Sequence, residues 1–271
     1  MMRIPFAAMV GLFFTAIYFG AAIFAGWIAP YGMAEVVGDS WEPWSWAHPL
    51  GTDSIGRDLL SRMIWGGQTT IFVATMGTIL SFSLGSVLGF VAAVKGGWVD
   101  QLLSRMVDLM MSIPSLIAAL VVLSVMPVTL PVLIIVMGVL DATRVFRLSR
   151  AVAVDITVMD YVEAARLRGE KQLWIIFREI LPNAISPLIA EMGLRFIFMV
   201  LFISTLSFLG LGVQPPMADW GGIVKENKDA IVYGVPAALV PAFAIASLAI
   251  SVNLVADWVL NRTTSLKGGR G

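Results

Sequence analysis

DYVEAARLRGEKQLWIIFREILPN, residues Asp160–Asn183, is a charged, proline-terminated helical insert lodged between two long apolar runs. A soluble helix between membrane spans needs something to touch. Asp160 with Glu163 three residues on has the form of a capping box opening a helix, and Ala164-Ala165 offer a small-residue surface that another backbone approaches closely. Gly169 is placed to take the left-handed turn that ends this helix. Leu173, Ile176, Phe177 and Ile180 then recur at helical spacing, which predicts a second short helix with one apolar face, stopped by Leu181-Pro182. The expectation is two short helices at a sharp bend, projecting from a membrane domain.

The rest of the chain supplies that domain. Hydrophobic residues make up 58% of the 271 residues and charged ones 13%, with a mean hydropathy of +0.88, far from a soluble domain. Apolar runs long enough to cross about 30 Å of hydrocarbon lie near 6–29, 71–94, 107–126, 130–149, 187–209 and 236–260. Six transmembrane helices in an all-α membrane protein are expected. The first run is too long for the roughly 7–15 apolar residues of a signal peptide, so it reads as an uncleaved span. The expected division is a single domain over 1–271. Within it, 1–66 hold the first span and an external segment, 67–262 the core with a loop over 150–185, and 263–271 a tail.

Lys and Arg set the orientation. With the N-terminus inside, thirteen fall on the cytoplasmic side (Arg3, Lys95, Arg105, Arg144, Arg147, Arg150, Arg166, Arg168, Lys171, Arg178, Arg262, Lys267, Arg270). Four fall outside (Arg57, Arg62, Lys225, Lys228), and Arg195 lies within a span. Both termini and the Asp160–Asn183 insert are therefore expected in the cytoplasm. The outer segments carry eight acids against those four cations, so a formal net charge of zero hides an outer face near −4. That charge serves either to solvate the loops or to meet a partner. The basic residues follow topology and form no face with interleaved aromatics, which excludes nucleic-acid binding. Trp27, Trp65, Trp98 and Trp258 fall near span ends, as an interfacial belt does.

Two features inside the spans stand out. Gly77, Ser81, Gly85, Gly89 and Ala93 repeat at every fourth position, a strip of small residues for close helix packing or for a contact that slides. Asp108, Asp141, Glu191, Arg195 and Asp257 are ionisable residues at or near membrane depth. Glu191 and Arg195 stand at i, i+4 and Asp141 has Arg144 one turn on, so structural pairing competes with a role on a substrate path. Ser112 and Ser115 complete the candidate path residues.

No catalytic constellation is present. The sequence lacks G-x-x-x-x-G-K-[ST], so the chain does not supply the phosphate cradle that ATP hydrolysis needs. The single histidine, His48, has no ligand cluster around it, and no cysteine is present, so thiolate metal sites are excluded. The Lys267–Arg270 segment is Gly-rich but reads as a solvated end.

Glu163-Ala164-Ala165 with Gly169 and Leu181-Pro182 resembles the EAA loop of ABC importer permeases, the cytoplasmic coupling helix that docks on the ATPase. HPLGTDSIGRDLLSRMIWGG (48–67) and LSFLGLGVQPPMADWGGIV (206–224) resemble the C-type permease subunit of the dipeptide, oligopeptide and nickel importers. The resemblance implies a type I ABC importer fold in a bacterial inner membrane, half of a translocation pathway completed by a second related permease, and ATPase coupling through Asp160, Tyr161, Val162, Glu163, Ala164, Ala165, Arg166, Gly169 and Leu173. It also implies two ATPase subunits, which bind ATP and magnesium while this chain binds no cofactor, and an external solute-binding protein. Peptides head the implied cargo, with nickel, opines or other small solutes behind. Departures are Glu179 where an apolar residue is usual, Ile203-Ser204-Thr205 before Leu206 where an acid is frequent, Gln68 in place of a basic residue, and a tail without Asp-Pro-Arg. A secondary transporter or channel is the alternative class. It predicts inverted repeats and broken helices around a midplane site, and it leaves the charged insert without a purpose.

Overall fold

A computed structural model describes residues 4–268, with side chains described as far as Asn261. Arg3 and Gly269–Gly271 lie outside the described residues, as do the side chains of the tail. The backbone of 263–268, expected as a loose end, continues the last helix.

Among the described residues eleven α-helices run in the order α1 (Phe6–Ile23), α2 (Ala25–Ile28), α3 (Leu59–Lys95), α4 (Gly97–Ser112), α5 (Ser115–Val125), α6 (Leu130–Thr157), α7 (Asp160–Leu167), α8 (Gln172–Ile175), α9 (Leu181–Leu209), α10 (Trp220–Asn227) and α11 (Leu239–Gly268). Among the described residues there is no strand, only two isolated bridges. Four helical segments among the described residues are long and apolar enough to cross a membrane: 6–23, 59–95, 172–209 and 236–261. The pair α4–α5 makes five if it is one span. With 28 residues α6 has the length, but Asp141, Arg144 and Arg147 interrupt its apolar run. The chain is an all-helical, multi-pass membrane protein.

Several boundaries differ from those expected. The segment near 107–126 is not a straight span. It is α4 and α5 meeting at 82°, because Pro114 lacks an N–H to continue α4 and forces Ile113 into extended backbone (ψ 126°). One broken helix pair is thus present where none was expected. The span expected at 71–94 begins at Leu59, since Asp58 caps α3 by accepting from the Ser61 N–H at 2.7 Å. The division at 66/67 therefore falls inside a helix.

Small residues set the packing of the bundle. Gly11 brings α1 onto α11, where an added Cβ would sit 2.8 Å from the Ser251 carbonyl oxygen. Tyr18 and Ser247 share a hydrogen bond at 2.5 Å across the same contact. The main core gathers Leu59, Val73, Leu133, Met137, Met199, Ile203, Leu206, Trp220 and Ile223 from α3, α6, α9 and α10. A second core, of Phe90, Ala153, Ile156, Val162, Ala165, Ile175, Ile176, Ile180, Ala184 and Leu188, closes the end of the bundle that carries α7.

Candidate functional site

The Asp160–Asn183 insert forms an elbow. α7 starts after Met159 and has no side-chain cap, so the expected capping box is not made. Asp160 already lies in the first turn, where it and Glu163 instead sit favourably at the positive end of the helix. The C-terminus is a Schellman motif: the Gly169 N–H donates to the Arg166 carbonyl at 2.9 Å and the Glu170 N–H to the Ala165 carbonyl at 3.2 Å. Gly169 has φ +80° with nothing within 4 Å of a Cβ position, so the turn needs glycine for its backbone and not for lack of room.

Ala164 and Ala165 do not share a surface, because consecutive helix residues point about 100° apart. Val162 and Ala165 are fully buried against the second core, while Asp160, Tyr161, Glu163, Ala164, Arg166 and Leu167 face outward. Beyond the turn the apolar face is also redistributed. Ile175, Ile176 and Ile180 are buried, whereas Leu173 and Phe177 are exposed. The cause is a π-helical stretch at Ile176–Ile180, which adds a residue to the turn and rotates the helix beyond it. The same stretch lets the helix run through Pro182 into α9, where a stop was expected. The Leu181 N–H reaches back five residues to Ile176, and the Asn183 side-chain amide donates to the Glu179 carbonyl at 2.7 Å. Val158, Leu167, Leu173 and Phe177 are left as an exposed apolar patch around the elbow. Partial burial, and then the Glu179 carboxylate, push the Tyr161 phenol above its ordinary value.

Within the small-residue strip Gly85 and Gly89 make the α3–α6 contact. A Cβ on Gly85 would lie 2.6 Å from Val145 Cβ and 2.7 Å from the Ala142 carbonyl oxygen; one on Gly89 would lie 2.8 Å from the Phe146 carbonyl oxygen. Gly77 is looser, facing the Met199 sulfur at 3.4 Å, and Ala93 is half-buried beside the second core. Ser81 does more than pack. Its hydroxyl donates to Asp141 at 3.0 Å.

That bond opens a network across three helices. Asp141 on α6 is 1% exposed and meets Arg195 of α9 at 3.5 Å and Arg144 at 3.6 Å. Arg195 donates from Nε to Glu191 at 2.7 Å, and Arg144 lies 4.4 Å from the centre of the Phe198 ring. The i, i+4 and i, i+3 pairs are those the spacing predicts; the link between them is not. Ser112 and Ser115 flank the α4–α5 break, with Ser112 exposed and Ser115 half-buried.

At the other end of the bundle the segments 48–67 and 206–224 pack on each other. A Cβ on Gly66 would lie 2.8 Å from Ile223 Cδ1, and one on Gly67 would lie 2.9 Å from the Trp220 ring. Asp53 joins Arg57 at 2.6 Å and Arg62 at 2.7 Å, and both guanidiniums also reach Glu226. Burial raises the Asp53 pKa, but the Arg57 and Ile55 N–H groups and the two guanidiniums outweigh it and hold the carboxyl below its ordinary range. His48 bonds Asp58 at 3.0 Å. Asp219 caps α10 through the Gly221 N–H at 3.1 Å; complete burial pushes its carboxyl up to about 7.

This is the architecture of a polytopic membrane subunit with a helical elbow at one end and a pinned loop at the other. Residues 85–265 match the family model of the binding-protein-dependent transport system inner membrane component. The chain belongs to that family. It is 33% identical over 257 residues to a di/tripeptide transport system permease protein of Pseudomonas aeruginosa, covering 92% of this chain and 85% of that one. It is 36% identical over 249 residues to a putative peptide transport system permease protein of Brucella suis, covering 92% and 84%. It is 30% identical over 211 residues to a glutathione transport system permease protein of Pectobacterium atrosepticum, covering 78% and 70%.

As an inner membrane permease component the chain is a transport subunit that works with others, not itself an enzyme. The matched stretch holds Gly85, Gly89, the charged residues of the network and the whole elbow. The pinned loop precedes it and contains what sequence reasoning missed: Arg57 and Arg62, counted among outer-loop charges that either solvate the loop or meet a partner, are buried at 7% and 1% exposure. The available signal was the i, i+4 spacing of Asp53 and Arg57. Nothing local pointed to Glu226, more than 160 residues away.

Proposed function

We propose that this permease is one half of the translocation path of an ATP-driven importer of peptides or a similar small solute, coupled to its ATPases through α7. The observation that carries this reading is the elbow, a rigidly terminated eight-residue helix with an exposed apolar patch, seated on the core that closes the bundle end. An exposed patch of this kind on an otherwise packed end serves association. In this reading the spans number six (α1, α3, the broken pair α4–α5, α6, α9, α11). Both termini and α7 face the cytoplasm, where two ATPase subunits bind ATP and magnesium. A second related permease completes the path, and the loop between α2 and α3 faces an external solute-binding protein. Asp141, Glu191, Arg195, Ser112 and Ser115 belong to the path, with Asp141 supporting it from behind.

Peptide cargo rests on the relatives named for di/tripeptide and peptide transport, and the glutathione permease widens the class to peptide-like solutes. The α4–α5 break is the one feature shared with secondary transporters; family membership outweighs it.

Gly169→Val, which strains the left-handed turn, and Leu167→Asp, which puts charge on the exposed patch, test the coupling. Both are expected to lose the ATPases on co-purification and to abolish uptake, with the affinity of the binding protein unchanged. Cargo-stimulated ATPase activity and uptake at wild-type levels in both variants would remove the coupling role. Ala165→Trp is unsuitable as a docking probe, because Ala165 is buried within this chain.

A further inference from the structure

Asn227, the last residue of α10, is a polar side chain with no part in the elbow, the charge network or the packing strip. It is fully buried. Its Oδ1 accepts from the Ser54 N–H at 3.0 Å and from the Trp41 Nε1–H at 3.3 Å, and its Nδ2 donates to the Ile223 carbonyl at 3.0 Å inside α10. The amide has one tolerable orientation, since a flip would set its NH2 against two N–H donors and its oxygen against a carbonyl. Both donors come from one loop, 173 and 186 positions earlier in the chain. Asn227 is thus a joint between two distant segments.

Each segment is stiff on its own side of that joint. Loop 36–58 is held to itself by bridges between Val36 and Arg57 and between Thr52 and Asp58. The Val37 N–H donates to the Gly56 carbonyl at 2.8 Å and the Trp41 N–H to the Asp53 carbonyl at 3.0 Å. The Thr52 hydroxyl donates to the Asp39 carbonyl at 2.6 Å and accepts from the Glu42 N–H at 2.7 Å. On the other side, α10 meets α9 backbone to backbone: a Cβ on Gly221 would lie 2.2 Å from the Ser204 carbonyl oxygen. No side chain stands between the two helices there to absorb a displacement. From Ser204, α9 runs on to Ala184 and Leu188 in the second core, beneath the elbow.

The loop passes by chain continuity into α3, so α3 needs no link to follow it. α10 follows the loop through contacts across the seam. Those contacts are Asn227, Glu226 beside it with Arg57 and Arg62, the Ala218 N–H on the Met33 sulfur, and the Trp41–Tyr233 ring pair at 5.4 Å. Asn227 alone among them is fully buried and bonds both the loop backbone and a loop side chain. Without its amide, two N–H donors at the centre of the seam lose their acceptor and turn to water, which frees the loop to shift without α10.

We propose that Asn227 is the positioning residue that makes loop 36–58 and α10 a single lever on α9, so that docking of an external protein on the loop is felt at the elbow end of the bundle. The inference rests on the importer reading and adds to it the joint through which the external partner is sensed.

The whole transporter in nanodiscs is titrated with its cargo-loaded binding protein, and ATP hydrolysis gives the maximal stimulation over the basal rate and the concentration at half effect. In Asn227→Ala the maximal stimulation is expected to fall at least about fivefold, the low end of coupling between distant sites, with the basal rate and the half-effect concentration within about twofold of wild type. Asn227→Asp keeps the shape and both acceptor positions and gives up only the bond to Ile223, so most of the stimulation should return. A raised half-effect concentration with the maximum intact would make Asn227 a prop of the docking surface and overturns the lever. Unchanged stimulation in Asn227→Ala, or equal loss in both variants, overturns it as well. Where Asn227→Ala does not assemble, hydrogen exchange of the unaltered transporter decides. Docking of the loaded binding protein should change exchange in 220–227 together with 36–58, and a change confined to the loop overturns the lever. A binding protein that does not stimulate the wild-type complex at all would instead sink the importer reading.

Discussion

Gly85→Ala puts the α3–α6 contact to a quantitative test. The new methyl would stand 2.6 Å from Val145 Cβ, 2.7 Å from the Ala142 carbonyl oxygen and 2.9 Å from the Phe146 nitrogen. Carbon atoms rest at about 3.5–4.0 Å, so the helices must part by about 1 Å, and two of the three opposing atoms are backbone that cannot turn aside. Overpacking costs about 1–3 kcal/mol. A gap of that size also forfeits a quarter to a half of each dispersion contact along the strip, including those at Gly89. Against this stands a helix-propensity gain of up to about 1 kcal/mol. The expected net loss is about 2 kcal/mol, or roughly 4–8 °C in the melting temperature of a chain of this size. Gly77→Ala is the internal control, since its methyl would meet only the flexible Met199 side chain, its sulfur at 3.4 Å; with the same propensity gain and no clash, its melting temperature should match wild type or exceed it by up to about 4 °C. Tryptophan fluorescence during heating of the purified complex reads both. Equal melting temperatures for the two variants would refute close packing at Gly85. A stable Gly85→Ala protein that has lost transport would point to a contact that slides.

The end of the bundle where the pinned loop meets α10 offers two further tests. Asp219 is raised from 3.8 to about 7, so the fold favours its protonated form and stability falls as pH rises through that interval, by about 4 kcal/mol over its whole width. Asp219→Asn keeps the cap acceptor for Gly221 and removes the charge, so its thermal stability should exceed wild type at pH 8 and the gap should close toward pH 5; a constant gap across that range would count against a protonated Asp219. Asp53 works in the opposite sense, its stabilisation being present above the ordinary carboxyl range and lost as pH falls through its lowered value. Arg62→Met removes the 1%-exposed guanidinium shared by Asp53 and Glu226 and should cost about 3 kcal/mol, read as detachment of the loop in limited proteolysis; an unchanged digestion pattern would mean Arg57 holds the loop alone.

How much of this was legible depended on the range of the interactions. The helical class, the elbow and the strip rest on residues within a few turns of one another, and periodicity reaches that far: Gly169 needs only its own backbone, and Gly85 with Gly89 needs only a neighbour. The failures cluster where a local rule met a second one. Leu181-Pro182 reads as a stop, yet a π-stretch just before it relocates the hydrogen bonds that proline would break, and no simple residue pattern announces that extra residue. Ala164-Ala165 reads as one small surface, but the second core claims Ala165 and leaves Ala164 outside.

Charges show the same limit most sharply. Spacing on one helix gives Glu191–Arg195 and Asp141–Arg144 but cannot say that Arg195 also reaches Asp141, or that Arg147 and Arg150 find Asp108 and Asp100 on α4. Hydropathy, for its part, assigns the arginines beyond Asp141 to a water-exposed end, because an average over a window has no face. In the proposed six-span arrangement α6 crosses from Leu130, and about 20 residues of helix cross the hydrocarbon, which puts Arg144 within the span and Arg147 near its edge. Both are more than a third exposed or close to it. A charge at membrane depth faces protein or a water-filled cavity, so neither arginine turns to hydrocarbon. The every-third spacing of Asp141, Arg144, Arg147 and Arg150 was in the sequence throughout. It acquires a meaning only when α4 and α9 are set on either side of it.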